Sequence, residues 1–523
     1  MYARLERHWW VLPVLSGALL ILTFHPFNLW PLGFIALTPL YFFAGGFDHS
    51  RWRIFWGGCI AGGLFAFFLS YYTIVQFHWL PETYLFVDAV RWLTVPITLL
   101  GGGICGLSLV LYNALRGRSH LLNAALAAAL YTLAEIVLGG VFGGYYIGLL
   151  AYAAAPLTTL LSIAAIGGAH LVSFMVALVS GFLAETFIII YTQRKSLRVL
   201  IRPLGLSAVL IFTICVPNWI YLHAPLSAER TLKISIVQVG PRESILFGTQ
   251  KNGTFFWNEA TVLTQVAALK PDLLIYPFSP VEGALYRTQA PAFNKEVLVA
   301  SESSVAHFFK GLFPASTTLM TWNNVYTGGH FYNEYELWQD GNVVSEYQKR
   351  DLFPFMDYTP GWAQRLGLFS TPFDVVPGTP DNHLALDGVP LGSLMCSELH
   401  NTALARSEAR SVPLIIAVGS EAMFEDDIAS SFSLKAAQLR AAENDVPVVR
   451  GNILGPSGII DRFGKLTASA PAGQSATISA EVTLTVSRAT LYNMLGEWLI
   501  WVAMCGVLAG ALWLKGSSSP AET

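Results

Sequence analysis

Eight long apolar runs constrain the possible folds of this chain more than any other feature of its sequence. A bilayer core is crossed by a helix of about 20 apolar residues. The runs lie at residues 10–27, 29–46, 54–77, 93–115, 121–142, 160–188, 200–222 and 494–514. A chain that is 54% hydrophobic and 12% charged is also too apolar for an ordinary soluble protein. We therefore expect a polytopic α-helical membrane protein of about eight spans, whose first run is retained because a second follows it directly.

The basic residues outside positions 224–490 predict how the spans are oriented. Cytoplasmic connections of membrane proteins collect Lys and Arg. Eleven of the twelve such residues fall in alternate connections: Arg4, Arg7, Arg51, Arg53, Arg116, Arg118, Arg194, Lys195, Arg198, Arg202 and Lys515. Only Arg91 falls in the intervening connections. The bias predicts that residues 224–490 lie on the side opposite to the cytoplasm.

Residues 224–490 differ from the apolar runs in their pattern of short hydrophobic segments separated by turn residues. The β-like runs here are KISIVQV, PDLLIYPF, FYNEYELWQ, VPLGSLMC, PLIIAVGS, VPVVRGNI and SATISAEV, with helical stretches at 258–269 and 433–444. Such alternation predicts a layered α/β domain. It is inserted between a membrane domain of seven helices at 1–223 and a last helix with a short cytoplasmic tail at 491–523. The inserted domain has 26 acidic and 19 basic residues, which argues against a nucleic-acid partner.

Cys396 is the only cysteine of residues 224–490. The apolar run Val389–Met395 predicts a strand, and the polar residues after Cys396 predict the start of a helix. A thiolate is favoured near a helix N-terminus and beside a cation, and Lys349 in YQKRDLFPFMDYTP is a candidate for that cation. A Lys–Cys pair can form an activated nucleophile. The alternatives are a buried, inert cysteine and a surface lysine in a turn.

The rest of the sequence adds two intramembrane candidates and gives no sign of a metal. It contains no spacing such as H-E-x-x-H or paired C-x-x-C, so we expect neither a metal nor a cofactor. Glu135, within the fifth run, is either a functional carboxylate or the partner in an interhelical hydrogen bond. His170 in IGGAHLVSF is expected to pack at a small-residue interface.

Several segments resemble the carbon–nitrogen hydrolase (nitrilase) superfamily. They are YNEYELWQDGNVVSEYQKRDLFPFMDYTPGW, CSELH, SEAMFEDD and RAAENDVPVVRGNILGPSGIID. Within the superfamily the chain is most similar to the bacterial apolipoprotein N-acyltransferase family, over essentially its whole length. The resemblance implies a four-layer αββα sandwich inserted between membrane helices. It also implies a multi-pass protein of the bacterial inner (plasma) membrane whose large domain is periplasmic.

The resemblance implies three catalytic roles. The cysteine nucleophile falls on Cys396, and the lysine that stabilises an oxyanion falls on Lys349. The glutamate that takes the thiol proton falls on Phe278, where the family has Pro-Glu. Two acids are candidates to replace it. We favour Glu421, at the end of the run PLIIAVGS. The other candidate is Glu282, for which the alternative is a solvated acid in a loop with no catalytic role.

Further positions carry over from the family motif by resemblance. Glu398 of the C-x-E element is retained as a site acid, and Asp357 stands for a supporting glutamate. Ser397 replaces an aromatic residue beside the nucleophile, and Met423 replaces a tryptophan near the acyl site. Together with Phe278, Ser397 and Met423 are predicted to contact the substrate.

The function implied by the resemblance is acyl transfer. Cys396 would take an acyl chain from a phospholipid as a thioester, release a lysophospholipid, and pass the chain to the N-terminal amine of a lipoprotein's diacylglyceryl-cysteine. The expected partners are a phospholipid donor, a lipoprotein acceptor and the membrane, where tethering raises effective concentration, and we expect a monomer. The alternative, favoured by Phe278, is a catalytically degenerate protein that binds lipid or partner proteins in an envelope or transfer system. For a soluble amidase or nitrilase the spans would be superfluous.

Overall fold

The computed structural model describes residues 6–517, apart from 73–91, 194–200, 226–227, 239, 241–264, 267, 278–283, 287–298, 302–305, 307–309, 311–312, 315, 355, 368–373, 381–382, 422–427 and 486–487. The described residues fall into two compact units. Those before Pro225 and from Ala489 onward form a helical unit, and those from Pro225 to Arg488 form a unit built on β-sheets.

The described residues of the helical unit are mainly helical. The helices are α1 (Val11–Thr23), α2 (Thr38–Gly46), α3 (Arg51–Ser70), α4 (Thr94–Leu115), α5 (His120–Val141), α6 (Thr158–Leu161), α7 (Ala164–Gln193), α8 (Ile201–His223), α12 (Leu491–Leu495) and α13 (Trp498–Ser517), with 3-10 turns at Trp30–Phe34 and Leu150–Ala154. Within the described residues, α3, α4, α5, α7 and α13 are long and apolar enough to cross a membrane. The unit is therefore a membrane domain of several apolar helices.

The apolar runs of the sequence correspond to these helices with two differences. The first two runs form shorter helices, α1 of 13 residues and α2 of 9 residues, and the 3-10 turn Trp30–Phe34 occupies the start of the second run. The sixth run is bent inside α7, where Gly168 has φ +75°. A Cβ at Gly168 would lie 2.6 Å from the ring of Tyr492, so glycine is needed there both for the backbone and for the close packing.

Glycines also bring α3 and α4 together. A Cβ on Gly58 would lie 2.6 Å from the Cα of Gly106, and one on Gly106 would lie 2.8 Å from the main-chain oxygen of Phe55. Helices in a bilayer gain little from burying apolar side chains, so close van der Waals packing at small residues holds them together.

The second unit contains two sheets. The strands are β1 (Ala228–Gln238), β2 (Leu273–Ile275), β3 (Ala284–Tyr286), β4 (Val299–Ser301), β5 (Thr318–Thr327), β6 (His330–Gln339), β7 (Asn342–Gln348), β8 (Leu384–Leu386), β9 (Val389–Met395), β10 (Ile415–Ser420), β11 (Val448–Ile453), β12 (Ser457–Ile460), β13 (Leu466–Ala470) and β14 (Ala476–Thr485). Three helices of the described residues accompany them: α9 (Gly361–Arg365), α10 (Thr402–Glu408) and α11 (Ile428–Asn444).

Strand order places the predicted nucleophile at the end of β9, one strand in from the edge of the second sheet. In the described residues the first sheet runs β14-β1-β2-β5-β3-β4, with β6 paired to β5 and β7 paired to β6. The second runs β13-β12-β11-β10-β9-β8, and β9, β10 and β11 are parallel. The carboxyl ends of parallel strands meet at one edge, which is where α/β domains place their sites.

The core lies between the two sheets. Ile234 and Tyr335 of the first sheet pack in one cluster with Met395, Ile416 and Val418 of the second. Two sheets that each bury one face against the other form a sandwich. The described residues thus confirm a helical region and a layered α/β domain. All seven predicted β-like runs contain a strand, and the predicted helix at 433–444 lies within α11; the predicted helix at 258–269 lies largely outside the described residues.

Candidate active site

Cys396 lies where β9 ends and a 3-10 turn, Cys396–His400, begins. This confirms the predicted strand and helix start. Cys396 has φ +53°, a backbone conformation that a non-glycine residue rarely adopts and that costs on the order of 1–3 kcal/mol. Such a turn persists only where surrounding contacts hold it, and Glu398 supplies four of them.

Glu398 is fully buried and ties the nucleophile turn to the segment that carries Lys349. Its Oε2 accepts hydrogen bonds from the main-chain N–H of Met395 at 2.7 Å and from the hydroxyl of Tyr347 at 2.9 Å. Its Oε1 accepts from the main-chain N–H groups of Arg350 and Asp351 at 2.8 and 2.9 Å. Burial raises the pKa of Glu398, and the charge of Lys349 and the three N–H groups oppose that rise. With all four partners donating, the carboxylate positions the site and has no lone pair to spare for a thiol proton.

Two tyrosines of the first sheet reach across the core to the nucleophile strand. The Tyr335 hydroxyl accepts from the N–H of Val418 at 2.9 Å and lies 3.0 Å from the carbonyl oxygen of Leu394. Tyr347 holds Glu398. Burial raises the pKa of both tyrosines well above its usual value, so both remain protonated hydrogen-bond donors. They fix the ends of β9 and β10 to the opposite sheet.

Lys349 is buried at the end of β7 and faces Asp357. Its Nζ donates to Asp357 Oδ2 at 2.5 Å. Asp357 also accepts from the N–H of Phe353 at 2.6 Å and from the side chain of Asn333 at 2.8 Å. Burial lowers the pKa of Lys349, but Asp357, Cys396 and Glu398 outweigh it, so the pKa lies above its ordinary value and the amine is cationic. The surface-lysine alternative is therefore wrong.

The thiol of Cys396 is influenced by charges on two sides. Burial raises its pKa, the charge of Lys349 opposes this strongly, and Arg450 also lowers it. Asp357 and Glu421 raise it. The thiol therefore holds its proton at rest and needs a base and a cation to react as a thiolate. Lys349 is the cation that the sequence predicts; the base is the open role.

Glu421 follows β10 and forms an ion pair with Arg450 of β11. Arg450 Nη2 donates to Glu421 Oε1 at 2.5 Å, and both side chains are buried. Among the described residues, Oε2 of Glu421 has no hydrogen-bond partner of good geometry. Burial raises the pKa of Glu421, whereas Arg450 and the nearby Ser433 hydroxyl lower it. The carboxylate is thus anchored at Oε1 by Arg450, while Oε2 has only the Ser433 hydroxyl nearby as a further donor.

With this geometry established, comparison with known proteins identifies the family. A model described as the apolipoprotein N-acyltransferase N-terminal domain matches residues 16–182, and a model described as carbon-nitrogen hydrolase matches residues 313–492. The chain belongs to the apolipoprotein N-acyltransferase family.

The relatives are distant in sequence but similar in extent. An apolipoprotein N-acyltransferase of Vibrio vulnificus is 24% identical and covers 98% of this chain and 98% of its own. One from Geobacter metallireducens is 26% identical and covers 96% of this chain and 94% of its own. A solved CN-hydrolase superfamily protein of Xanthomonas campestris, which has an arsenic adduct in its active site, is 16% identical with a TM-score of 0.33. It covers 53% of this chain and 97% of its own.

Two of the predicted substrate contacts and one candidate base belong to segments outside the described part of the chain. Phe278, Glu282 and Met423 lie outside the described residues. Ser397 is described: it follows Cys396 in the 3-10 turn, and its hydroxyl is buried with no hydrogen-bond partner among the described residues. Its hydroxyl is therefore not used to hold the turn.

The intramembrane candidates have polar partners within the helical unit. Glu135 Oε1 accepts from the N–H of Leu150 at 2.7 Å, which fits the hydrogen-bonding alternative for this residue. His170 is fully buried, its Nδ1 lies 2.8 Å from Glu497 Oε1, and its ring meets that of Tyr146 at a centroid distance of 4.6 Å. His170 therefore has an acidic and an aromatic partner, and its packing at a small-residue interface stays a prediction. In the described residues no group of three or more His, Cys, Asp or Glu is arranged to hold a metal ion.

Sequence reasoning missed Arg450 and the two core tyrosines. One signal was available for Arg450: an arginine in the middle of the apolar run VPVVRGNI must be buried with its strand, and buried charges require a partner. Tyr335 and Tyr347 gave no such signal, because strand tyrosines are common and their partners are distant in sequence.

Proposed function

We propose that this member of the family is a working N-acyltransferase that carries the acyl chain on Cys396. The observation that supports it is the buried Lys349–Asp357 pair, whose cation acts on a cysteine held in a strained turn by Glu398. A domain that only bound lipid would have no need for a buried ion pair or a strained cysteine. Breaking a buried pair by losing one partner costs about 3–5 kcal/mol, so the pair makes the fold sensitive to substitution at either residue.

The proposed reaction has two transfers. The Cys396 thiolate attacks the ester carbonyl carbon of a phospholipid; a C–S bond forms, the C–O bond breaks, and the lysophospholipid leaves as an alcohol after it receives the thiol proton. The N-terminal amine of a lipoprotein's diacylglyceryl-cysteine then attacks the thioester. A C–N bond forms, the C–S bond breaks, and the amine proton returns to the thiolate. Lys349 stabilises the oxyanion in both steps.

Glu421 is proposed to carry the proton between these steps. Its Oε2 is available, its Oε1 is held by Arg450, and its charge acts on the thiol of Cys396. A base contributes about 10² to 10⁴ in rate. Glu398 is proposed as a positioning residue, because its four hydrogen bonds occupy both oxygens.

We also propose a bacterial inner-membrane location with the sheet domain in the periplasm. The eleven-to-one distribution of basic residues supports it. A membrane-impermeant thiol reagent added to spheroplasts should label Asp387→Cys and leave Arg118→Cys unlabelled, since both positions are exposed within their units. The reverse pattern would refute the orientation and, with it, access to periplasmic lipoproteins.

Intact-protein mass spectrometry tests the acyl-enzyme. After incubation with phospholipid micelles, the protein should gain the mass of one acyl group, and Cys396→Ala should not. Cys505→Ala is the matched control, because Cys505 is the exposed cysteine of α13 and its removal should leave the gain intact. The second candidate function is a protein that binds lipid or partner proteins without catalysis, and the observation that favours it is Phe278 at the expected position of the base. Absence of an acyl adduct in the wild-type protein would support this candidate.

A further inference from the structure

Arg450 is a buried cation to which the proposed mechanism gives no role beyond holding Glu421. It lies in β11, one strand away from β10 and two from β9, and its side chain is 1% exposed. Its only hydrogen-bond partner in the described part of the chain is Glu421, through Nη2; Nε and Nη1 have none. An arginine normally uses several of its five donors when buried, so this guanidinium has unused donors in a dry site.

A glycine on the intervening strand opens the way from Arg450 to the nucleophile. A Cβ on Gly419 of β10 would lie 3.6 and 3.7 Å from Nη2 and Nη1 of Arg450, and 3.4 Å from the Cα of Cys396. The guanidinium and the cysteine backbone therefore border the same empty side-chain position. A branched side chain at residue 419 would occupy this space and displace one of the two.

We propose that Arg450 is a second cation of the nucleophile site, which stabilises the Cys396 thiolate across the position left open by Gly419. The inference rests on the proposed role of Cys396 as the nucleophile. Lys349 follows β7 of the first sheet and Arg450 lies on β11 of the second, so positive charges from both sheets stabilise the thiolate. Arg450 is a positioning residue in this account: it also holds Glu421 by Oε1 and leaves Oε2 to take the thiol proton.

The arrangement assigns opposite electrostatic effects to the two members of one ion pair. Removing the positive charge of Arg450 should make the thiolate harder to form, and removing the negative charge of Glu421 should make it easier. A side chain that merely stabilised the fold would not produce shifts of opposite sign. The charge effect of a near neighbour on a buried group is about one pH unit or more.

The test is the pH dependence of Cys396 alkylation by iodoacetamide in the full-length protein, followed by peptide mass spectrometry so that the other four cysteines do not interfere. Arg450→Gln should raise the midpoint by about one pH unit, Arg450→Lys should recover part of the shift, and Glu421→Gln should lower the midpoint. Arg462→Gln is the matched control, because Arg462 forms a partly buried pair with Asp445 but is not among the main charges that act on Cys396. Its midpoint should equal that of the wild type.

An unchanged midpoint in folded Arg450→Gln would overturn the proposal. If that variant does not fold, Gly419→Val decides: it keeps every charge but fills the shared space, and an unchanged midpoint there would be equally fatal. Alkylation needs no acyl donor, so failure of acyl transfer and failure of this inference give separate results. If the predicted shifts are observed but no acyl-enzyme forms, the inference about Arg450 stands and the proposed acyl transfer is refuted.

Discussion

Two buried ion pairs flank Cys396 and differ in how completely they are satisfied. Both have an N–O distance of 2.5 Å. On one side, Asp357 accepts from Lys349, Asn333 and the N–H of Phe353, so both its oxygens are used. On the other, Glu421 accepts from Arg450 through Oε1, while Oε2 lacks a well-placed donor in the described residues.

The difference separates a fixed charge from a reactive one. A carboxylate with donors on both oxygens is held in place, which suits a group that holds a lysine still. A carboxylate with one buried oxygen lacking a partner is less stable in its ionised form and can accept a proton at that oxygen. We therefore expect substitutions in the Glu421 pair to affect proton transfer and those in the Asp357 pair to affect oxyanion binding.

The largest expected effect is at Glu421. Glu421→Gln should lower acylation of Cys396 by about 10² to 10⁴, although it makes the thiolate easier to form. Phe278→Glu should change acylation little, since the base is already in place. Asp445→Asn is the matched control, because Asp445 is a buried carboxylate paired with Arg462; its acylation should equal that of the wild type. A strong gain in Phe278→Glu with no loss in Glu421→Gln would show that the base was lost without replacement.

The pH profile gives this comparison a second readout. Burial raises the pKa of Glu421 above its ordinary value, and only the ionised form accepts the thiol proton. Acylation should therefore decline as the pH falls through this raised pKa, and the acid limb should be absent from the residual activity of Glu421→Gln. If the acid limb persists unchanged in Glu421→Gln, a group other than Glu421 causes it.

The second-largest effect is at Lys349. Lys349→Ala removes an oxyanion donor and should lower acylation by about 10² to 10³. It also leaves Asp357 buried without a counter-ion, so the free energy of unfolding in urea should fall by about 3–5 kcal/mol. Lys349→Arg keeps the charge but not the compact ammonium that fits the 2.5 Å geometry, and it should recover stability better than activity. Full acylation in a folded Lys349→Ala protein would contradict the role.

The sequence was sufficient to predict the part of the site that is built from local motifs, namely Lys349 and Cys396. Lys349 and Cys396 each lie at the end of a strand whose pattern is legible, and the strand Val389–Met395 was predicted at its observed bounds. The sheet strand β5 was not predicted, because Asn323 and Thr321 interrupt its apolar pattern. In the fold Asn323 donates hydrogen bonds to the hydroxyl of Thr321 and to the carboxylate of Glu336 on β6. The contact with β6 satisfies the polar side chain, and no local sequence pattern reveals it.

The other side of the site depends on contacts between residues distant in sequence. The sequence suggested Glu421 as a carboxylate at a strand end but gave no reason to pair it with Arg450, 29 positions later. That pairing exists because β10 and β11 are adjacent and parallel. The use of Glu398 as a hydrogen-bonded tie likewise follows from the approach of β7 to β9, which brings Tyr347 within 2.9 Å.

The smallest expected effect is at Asp357, and its pH dependence has a definite sign. The pKa of Lys349 is raised above its ordinary value, with Asp357 the leading cause after burial, which acts in the opposite direction. The stabilisation from the pair is fully present below the unfolded pKa of lysine and is lost as the pH rises through the higher folded pKa. Asp357→Asn should therefore lower the pKa of Lys349 and shift the alkaline limb of acylation to lower pH, with a loss of about tenfold at neutral pH from misplacement of the amine. The acid limb, set by Glu421, should not move. Asp357→Glu should restore the alkaline limb because it restores the charge, and an alkaline limb that stays in place in Asp357→Asn would show that Lys349 does not depend on this pair.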